Sequence, residues 1–267
     1  MAVTKIKVRD GVEIACEARG YVKASPPLVL VHSLAMDHTF WDAVASPLAG
    51  TTTVLTYDCR GHGLSGKPEG SYFIEQFADD LADLIDRFDW REVVVAGASM
   101  GGCVALAFAA AYPDRAAGLG LFDTTAGYDA ADKWEERALT AEAHGLEAMV
   151  EFQTTRWFSD AFRESRKDVV DAAVAVFLAN EARCYAQACR MLGRFDIAHA
   201  LSRLEMPARI VVGEEDYATP VAMSEALHRG IARSSLLVIP GARHLTPLEC
   251  PNRIAAELQA LLVTVSA

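Results

Sequence analysis

The sequence predicts an α/β protein: a mostly parallel, twisted sheet flanked by helices, with a helical cap inserted late in the chain. Three observations predict it. Short runs without polar interruption, PLVLVH, VVVA and ARIVVG, read as strands buried on both faces, the signature of a parallel sheet. Stretches of helical period separate such runs, FIEQFADDLADLIDRF being the clearest. From residue 124 to 201 the alternation stops and helix follows helix, so residues 1–123 and 202–267 form the core and 124–201 a lid.

Taken in order, residues 5–9 and 13–18 are strands joined through Asp10-Gly11 as a hairpin. Strand 27–32, helix 41–48, strand 52–57 and helix 73–88 follow, then strand 93–96, helix 102–112 and strand 117–123. After the insertion come strand 208–213, helix 220–229, strand 234–239 and a last helix over 251–263. In such a sheet ligands bind at the carboxyl ends of the strands.

A chain of 267 residues, 52% hydrophobic, can bury one large core. Its formal charge of -11 opposes a polyanion at every approach, which sets nucleic acid aside. The first twenty residues carry no apolar signal core and nowhere do about twenty apolar residues run together, so a soluble, cytoplasmic chain with no membrane partner is expected. The six cysteines form no CxxC pair or cluster with histidine and read as reduced packing residues, Cys103 among them. No metal or organic cofactor is implied.

Gly97-Ala98-Ser99-Met100-Gly101 falls between a buried strand and a buried helix. A sharp turn there exposes the serine hydroxyl, its neighbours must be small, and the following helix aims its first amides at the same place. A serine hydroxyl needs a histidine base and an acid to orient it, in the chain order Ser, acid, His. Of the histidines beyond Ser99, His144 and His199 lie in the insertion and His228 on a helix, while His244 follows a strand and a Pro240-Gly241-Ala242 turn. His244 is the candidate base. Asp216, in GEEDYATP after strand 208–213, is the candidate acid and Asp123 its rival; Glu214 and Glu215 read as solvated. Asp58, Arg60, Gly61, His62 and Gly63 read as a structural connection, and no GK[ST] ending makes a phosphate loop.

The stretches YDCRGHGLS, GASMGG, GEEDYATP and PGARHLTPLECP, in this order and spacing, resemble the α/β-hydrolase family over almost the whole chain. A narrower similarity is to β-ketoadipate enol-lactonases, through His32-Ser33-Leu34-Ala35-Met36-Asp37, Phe40-Trp41-Asp42, Trp134-Glu135-Glu136-Arg137 and Arg156-Trp157-Phe158; Gly193-Arg194 departs from that pattern. The resemblance implies the α/β-hydrolase fold and ester or lactone hydrolysis through Ser99, His244 and Asp216. The amides of Met100 and Leu34 then make the oxyanion hole, to which Ser33 adds a hydroxyl unless it caps the next turn. Trp134, Trp157, Phe158 and Tyr185 are candidate pocket aromatics or lid core, and Arg137 and Arg156 candidate anchors for a substrate carboxylate. A carbon-carbon bond hydrolase, a broad carboxylesterase and a non-catalytic receptor remain alternatives; the oligomeric state is open.

Overall fold

The computed structural model describes residues 3–20, 22 and 26–267. Eight strands form one sheet in the order β1-β2-β4-β3-β5-β6-β7-β8. The hairpin β1 (Thr4–Lys7) and β2 (Glu13–Arg19) is antiparallel, and β2 pairs antiparallel with β4 (Val54–Tyr57). From β4 onward every pairing is parallel, through β3 (Leu28–Val31), β5 (Val93–Ala98), β6 (Ala116–Phe122), β7 (Ala208–Gly213) and β8 (Ser234–Ile239). The unbroken apolar runs have the predicted cause: all four residues of β3 and all six of β5 are buried.

The connections set the place of the site. Leaving β3, the chain moves to β4 through α1 (Asp42–Leu48); from β4 it returns across β3 to β5 through α2 (Ile74–Arg87) and goes on to β6 through α3 (Met100–Ala111). Right-handed crossovers in opposite directions put α1 on one face and α2 with α3 on the other. Accordingly α2 packs on α3, and α1 on the final helix α11 (Pro251–Ser266). The carboxyl ends of β3 and β5 therefore diverge side by side, leaving the crevice typical of such a switch point.

Between β6 and β7 run α4 (Ala131–His144), α5 (Val150–Trp157), α6 (Asp160–Ser165), α7 (Lys167–Leu178) and α8 (Ala182–Gly193). This stretch leaves and returns at adjacent points, where Gly127 bridges Asp196 and the Ile197 amide donates to Ala126 O at 2.7 Å. α9 (Val221–Gly230) connects β7 to β8, and a short α10 (Thr246–Glu249), not expected from sequence, precedes α11. Two expected boundaries move for a physical reason. β5 extends to Ala98 and α3 begins at Met100, because Gly101 and Gly102 are helical despite their poor propensity. Their lack of a side chain is what the packing demands: a Cβ on Gly101 would stand 2.1 Å from Val31 O, and one on Gly97 2.1 Å from Gly101.

No helix among the described residues is long and apolar enough to cross a membrane.

Candidate active site

Ser99 sits between the end of β5 and the start of α3 with φ 54° and ψ -117°, a strained conformation that neighbouring contacts over-determine. Its amide donates to Phe122 O at 2.9 Å on β6, and Thr124 Oγ1 donates to its carbonyl at 2.8 Å, so the backbone is held while the side chain is free to turn outward. His244 arrives from the loop after β8. Its Nε2 lies 2.9 Å from Ser99 Oγ and its Nδ1 2.8 Å from Asp216 Oδ2.

Asp216 follows β7 and is anchored before it meets the imidazole. Oδ1 accepts from the Ala218 and Thr219 amides at 2.7 and 2.9 Å, and Thr219 Oγ1 donates to Oδ2 at 2.8 Å. Burial pushes this carboxyl up, but His244 and the Thr219 donors outweigh it and hold it below its ordinary value. Asp123, the rival acid, ends β6 and points elsewhere: it accepts from the Gly213 amide at 3.1 Å and from the Thr246 amide and hydroxyl at 3.0 and 2.6 Å. Burial and the neighbouring Asp216 charge raise it well above the ordinary carboxylate range. Its role in the contacts is to tie β7 and the residues after His244 to β6.

Glu214 is exposed and Glu215 half-exposed, as expected of solvated residues, yet each also makes a contact. Glu214 accepts from the Gly241 amide at 3.0 Å and Glu215 from Arg243 Nε at 3.3 Å, bracing the histidine loop from outside. Arg243 also reaches Thr155 O, Phe158 O and Asp160, at 3.0, 2.9 and 2.9 Å, and the Leu245 amide donates to Trp157 O at 3.0 Å. The histidine is thus bonded on both sides to the α5–α6 junction, a feature with no short sequence signature because its partners lie about 85 residues apart.

His144, His199 and His228 are exposed, as a surface reading requires. His62 is buried and neutral, pushed down to about 3 by burial and then by His32, with which its ring makes an edge contact at 5.0 Å. Asp58 accepts from the His38 and Leu64 amides at 2.6 and 2.7 Å and from His38 Nδ1 at 2.7 Å, so it braces loops. Asp37, His38 and Asp58 place ligand atoms within 4.8 Å of one another, but those hydrogen bonds already occupy both oxygens of Asp58. All six cysteines are free thiols, and burial pushes Cys103 up to about 12, which suits packing rather than chemistry.

A cavity of about 680 Å³ opens over Ser99 and His244, with Ser33 and Leu34 on the sheet side and residues of α4, α5 and the loop around Tyr217 above. The Leu34 and Met100 amides find no protein acceptor among the described residues; Leu34 lines the cavity with Ser99, and Met100 follows Ser99 directly in the chain. Ser33 lines the cavity, and the capping alternative goes to Asp37, whose Oδ1 accepts from the Thr39 amide at 2.9 Å. Trp134 and Trp157 line the cavity; Phe158 and Tyr185 do not, being packed in the helical insertion. Tyr128, Met149, Phe152, Gln153 and Met223 are lining residues that the sequence did not single out. Nothing local distinguishes them, since each becomes a wall only when α4, α5 and α9 are placed.

Arg137 and Arg156 both enter the cavity, and neither has a carboxylate partner among the described residues. Arg137 is held instead by neutral groups: its Nε donates to the Tyr185 hydroxyl, to which Gln153 Nε2 also donates at 2.7 Å, and its guanidinium stacks over Trp134 at 5.0 Å and Tyr185 at 5.4 Å. Arg156 lies 5.1 Å from the Phe152 ring centre, and burial and then Arg137 lower its pKa. Two guanidinium groups without an ion-pair partner among the described residues, in a cavity whose lining also includes Asp129, Lys133 and Glu136, are candidates to hold an anion.

A buried serine, histidine and aspartate stand in hydrogen-bonded series at a switch point of a doubly wound sheet, a candidate nucleophile-and-base arrangement. The family model of the alpha/beta hydrolase fold matches residues 26–251, and the chain belongs to that family. Among curated proteins it is 30% identical to 3-oxoadipate enol-lactonase 1 of Acinetobacter baylyi, over 92% of this chain and 91% of that one. Among solved structures, the enol-lactonase from Burkholderia xenovorans superposes with a TM-score of 0.94 at 28% identity, covering 97% of this chain and all of the other. A malate-bound thermophilic esterase from Thermogutta terrifontis has a TM-score of 0.93 at 31% identity, each chain covered in full.

Proposed function

We propose that this protein is a serine hydrolase that opens a carboxylic ester or lactone carrying a free carboxylate, an enol-lactone of aromatic-compound breakdown being the substrate class favoured. The observation that carries the reading is the hydrogen-bonded series Ser99 Oγ, His244 Nε2 and Nδ1, Asp216 Oδ2 opening into a cavity with two unpaired arginines. The enol-lactonase relatives support the substrate class.

His244 takes the Ser99 proton as Oγ attacks the carbonyl carbon, and Asp216 fixes the tautomer and stabilises the imidazolium. The Leu34 and Met100 amides receive the oxyanion. The C–O bond of the ring then breaks, with His244 returning the proton to the leaving oxygen; from an enol-lactone the released enol becomes a ketone, which makes opening irreversible. Water, deprotonated by His244, releases the acid from Ser99. Residues 124–201 act as the lid, Arg137 and Arg156 seat the carboxylate, Trp134 and Trp157 shape the wall, and the enzyme works in the cytoplasm.

The test compares a carboxylated five-membered enol-lactone with p-nitrophenyl acetate, using wild type, Ser99→Ala and Arg137→Met. Ser99→Ala should abolish turnover of both. Arg137→Met should lower kcat/KM for the lactone by about 10- to 100-fold, as losing a charge-assisted hydrogen bond does, with little effect on the acetate. Equal use of both substrates by wild type and Arg137→Met would remove the carboxylate from the reading.

A further inference from the structure

We infer that Asn180, far from Ser99 in sequence and on no wall of the cavity, is a positioning residue that sets the oxyanion loop. The inference rests on Leu34 donating its amide to the oxyanion, and it begins with the backbone next to that amide. Residues 33–36 form a turn closed by the Met36 amide on Ser33 O at 3.1 Å, and its third residue, Ala35, has φ 59°. That left-handed conformation brings Cβ against the backbone and is disfavoured for alanine. Asparagine or aspartate there would gain a local hydrogen bond in return; a methyl group gains nothing. Ala35 stays left-handed because something outside the turn holds it.

The holding group comes from the helical insertion. Asn180, in the turn between α7 and α8, donates from Nδ2 to Ala35 O at 2.9 Å. The same nitrogen lies 2.9 Å from Val176 O and 3.2 Å from Phe177 O, which fixes the side chain to the end of its own helix. Three carbonyls around one nitrogen settle the amide's orientation, since the reverse would bring oxygen against all three. The cost is visible on the other atom: Asn180 Oδ1 is buried with no partner among the described residues. A group that leaves its own acceptor unsatisfied in order to hold a carbonyl 145 residues away fixes the rotation of the Ala35 peptide. The same peptide's Met36 amide holds Ser33 O, which shares a plane with the Leu34 amide, so the hold on Ala35 O reaches where the Leu34 amide points.

Such a residue acts on the transition state and leaves ground-state binding alone, because the oxyanion exists only after attack. With p-nitrophenyl acetate, Asn180→Ala should lower kcat by about tenfold to a hundredfold, below the full loss of an oxyanion donor, with KM within about twofold. The distinguishing result is a rescue. Glycine enters the left-handed region without penalty, so adding Ala35→Gly to Asn180→Ala should recover most of the lost kcat. Near-isosteric Asn180→Asp keeps the packing volume and sets a carboxylate against the three carbonyls; it should lose at least as much kcat, and it serves if the alanine variant folds poorly. An unchanged kcat in both Asn180 variants, a loss confined to KM, or no recovery in the double variant would overturn the positioning role while Ser99→Ala remains dead. Turnover surviving in Ser99→Ala would overturn the hydrolase reading and this inference together.

Discussion

Two buried carboxylates end neighbouring strands, and only one of them reaches the imidazole. Asp216 bonds to His244 Nδ1, whereas Asp123 spends both oxygens on Gly213 and Thr246. The two should therefore fail differently when amidated. Asp216→Asn removes the charge that stabilises imidazolium and allows the wrong tautomer, so kcat on an activated ester should fall by about 10⁴-fold with the fold intact. Asp123→Asn turns an acceptor into a donor facing a buried N–H, which should cost about 1–3 kcal/mol of stability, read as a lower urea midpoint. Folded Asp123→Asn should keep kcat within about tenfold of wild type, since among the described residues its hydrogen bonds go to Gly213 and Thr246 and none to His244. A collapse of kcat in Asp123→Asn alone would reverse the assignment of the two acids.

At the scale of elements, the nucleophile turn depends on how closely α3 approaches β3. Gly101 lies where a Cβ would stand 2.1 Å from Val31 O and 2.7 Å from His32 O, both backbone atoms of a central strand and its exit loop. Neither can move without shifting the oxyanion loop. Gly101→Ala should therefore cost about 3 kcal/mol or more by chemical denaturation, in the range of severe overpacking. Gly50→Ala is the control: nothing lies within 4 Å of its Cβ position, so its stability should stay within about 0.5 kcal/mol. The insertion is bound to the core at both sides of the cavity. Arg243 and Leu245 bond to the α5–α6 junction beside the base, and Asn180 bonds to the oxyanion loop opposite. The inserted helices are thus hydrogen-bonded to the core on both sides of the cavity.

Over the whole molecule, buried neutral His62 gives the stability one acid-sensitive component. In the unfolded chain His62 takes up a proton below about 6.5, but in the folded chain only near 3, because burial and His32 oppose the charge. The unfolded state binds more protons across that window, so stability falls as pH falls through it, by up to about 1.4 kcal/mol per pH unit for one group. His62→Gln should flatten the slope of unfolding free energy against pH between about 6.5 and 5 by up to that amount, whatever its stability at neutral pH. A wild-type slope unaltered in the variant would mean that His62 is protonated in the fold.

The order of strands and helices, the antiparallel first hairpin, and Ser99, Asp216 and His244 as candidates were legible in the sequence. Each rests on local signals: buried runs of strand length, helical period, and loops following strands in an architecture that gathers strand ends. The start of α3 was placed two residues late, at Gly102, because Gly101 argues locally against a helix that tight packing requires. The bracing role of Glu214 and Glu215, the neutral support of Arg137 and the reach of Asn180 to Ala35 were not legible. The sequence by itself determined the fold class and narrowed the candidate nucleophile, base and acids to a few residues, since such groups must be of fixed types at strand ends. Only the tertiary structure decided which carboxylate meets the histidine, which arginines remain unpaired and what holds the oxyanion loop, because hydrogen bonds and burial depend on distances of a few ångströms between segments whose separation along the chain says nothing about them.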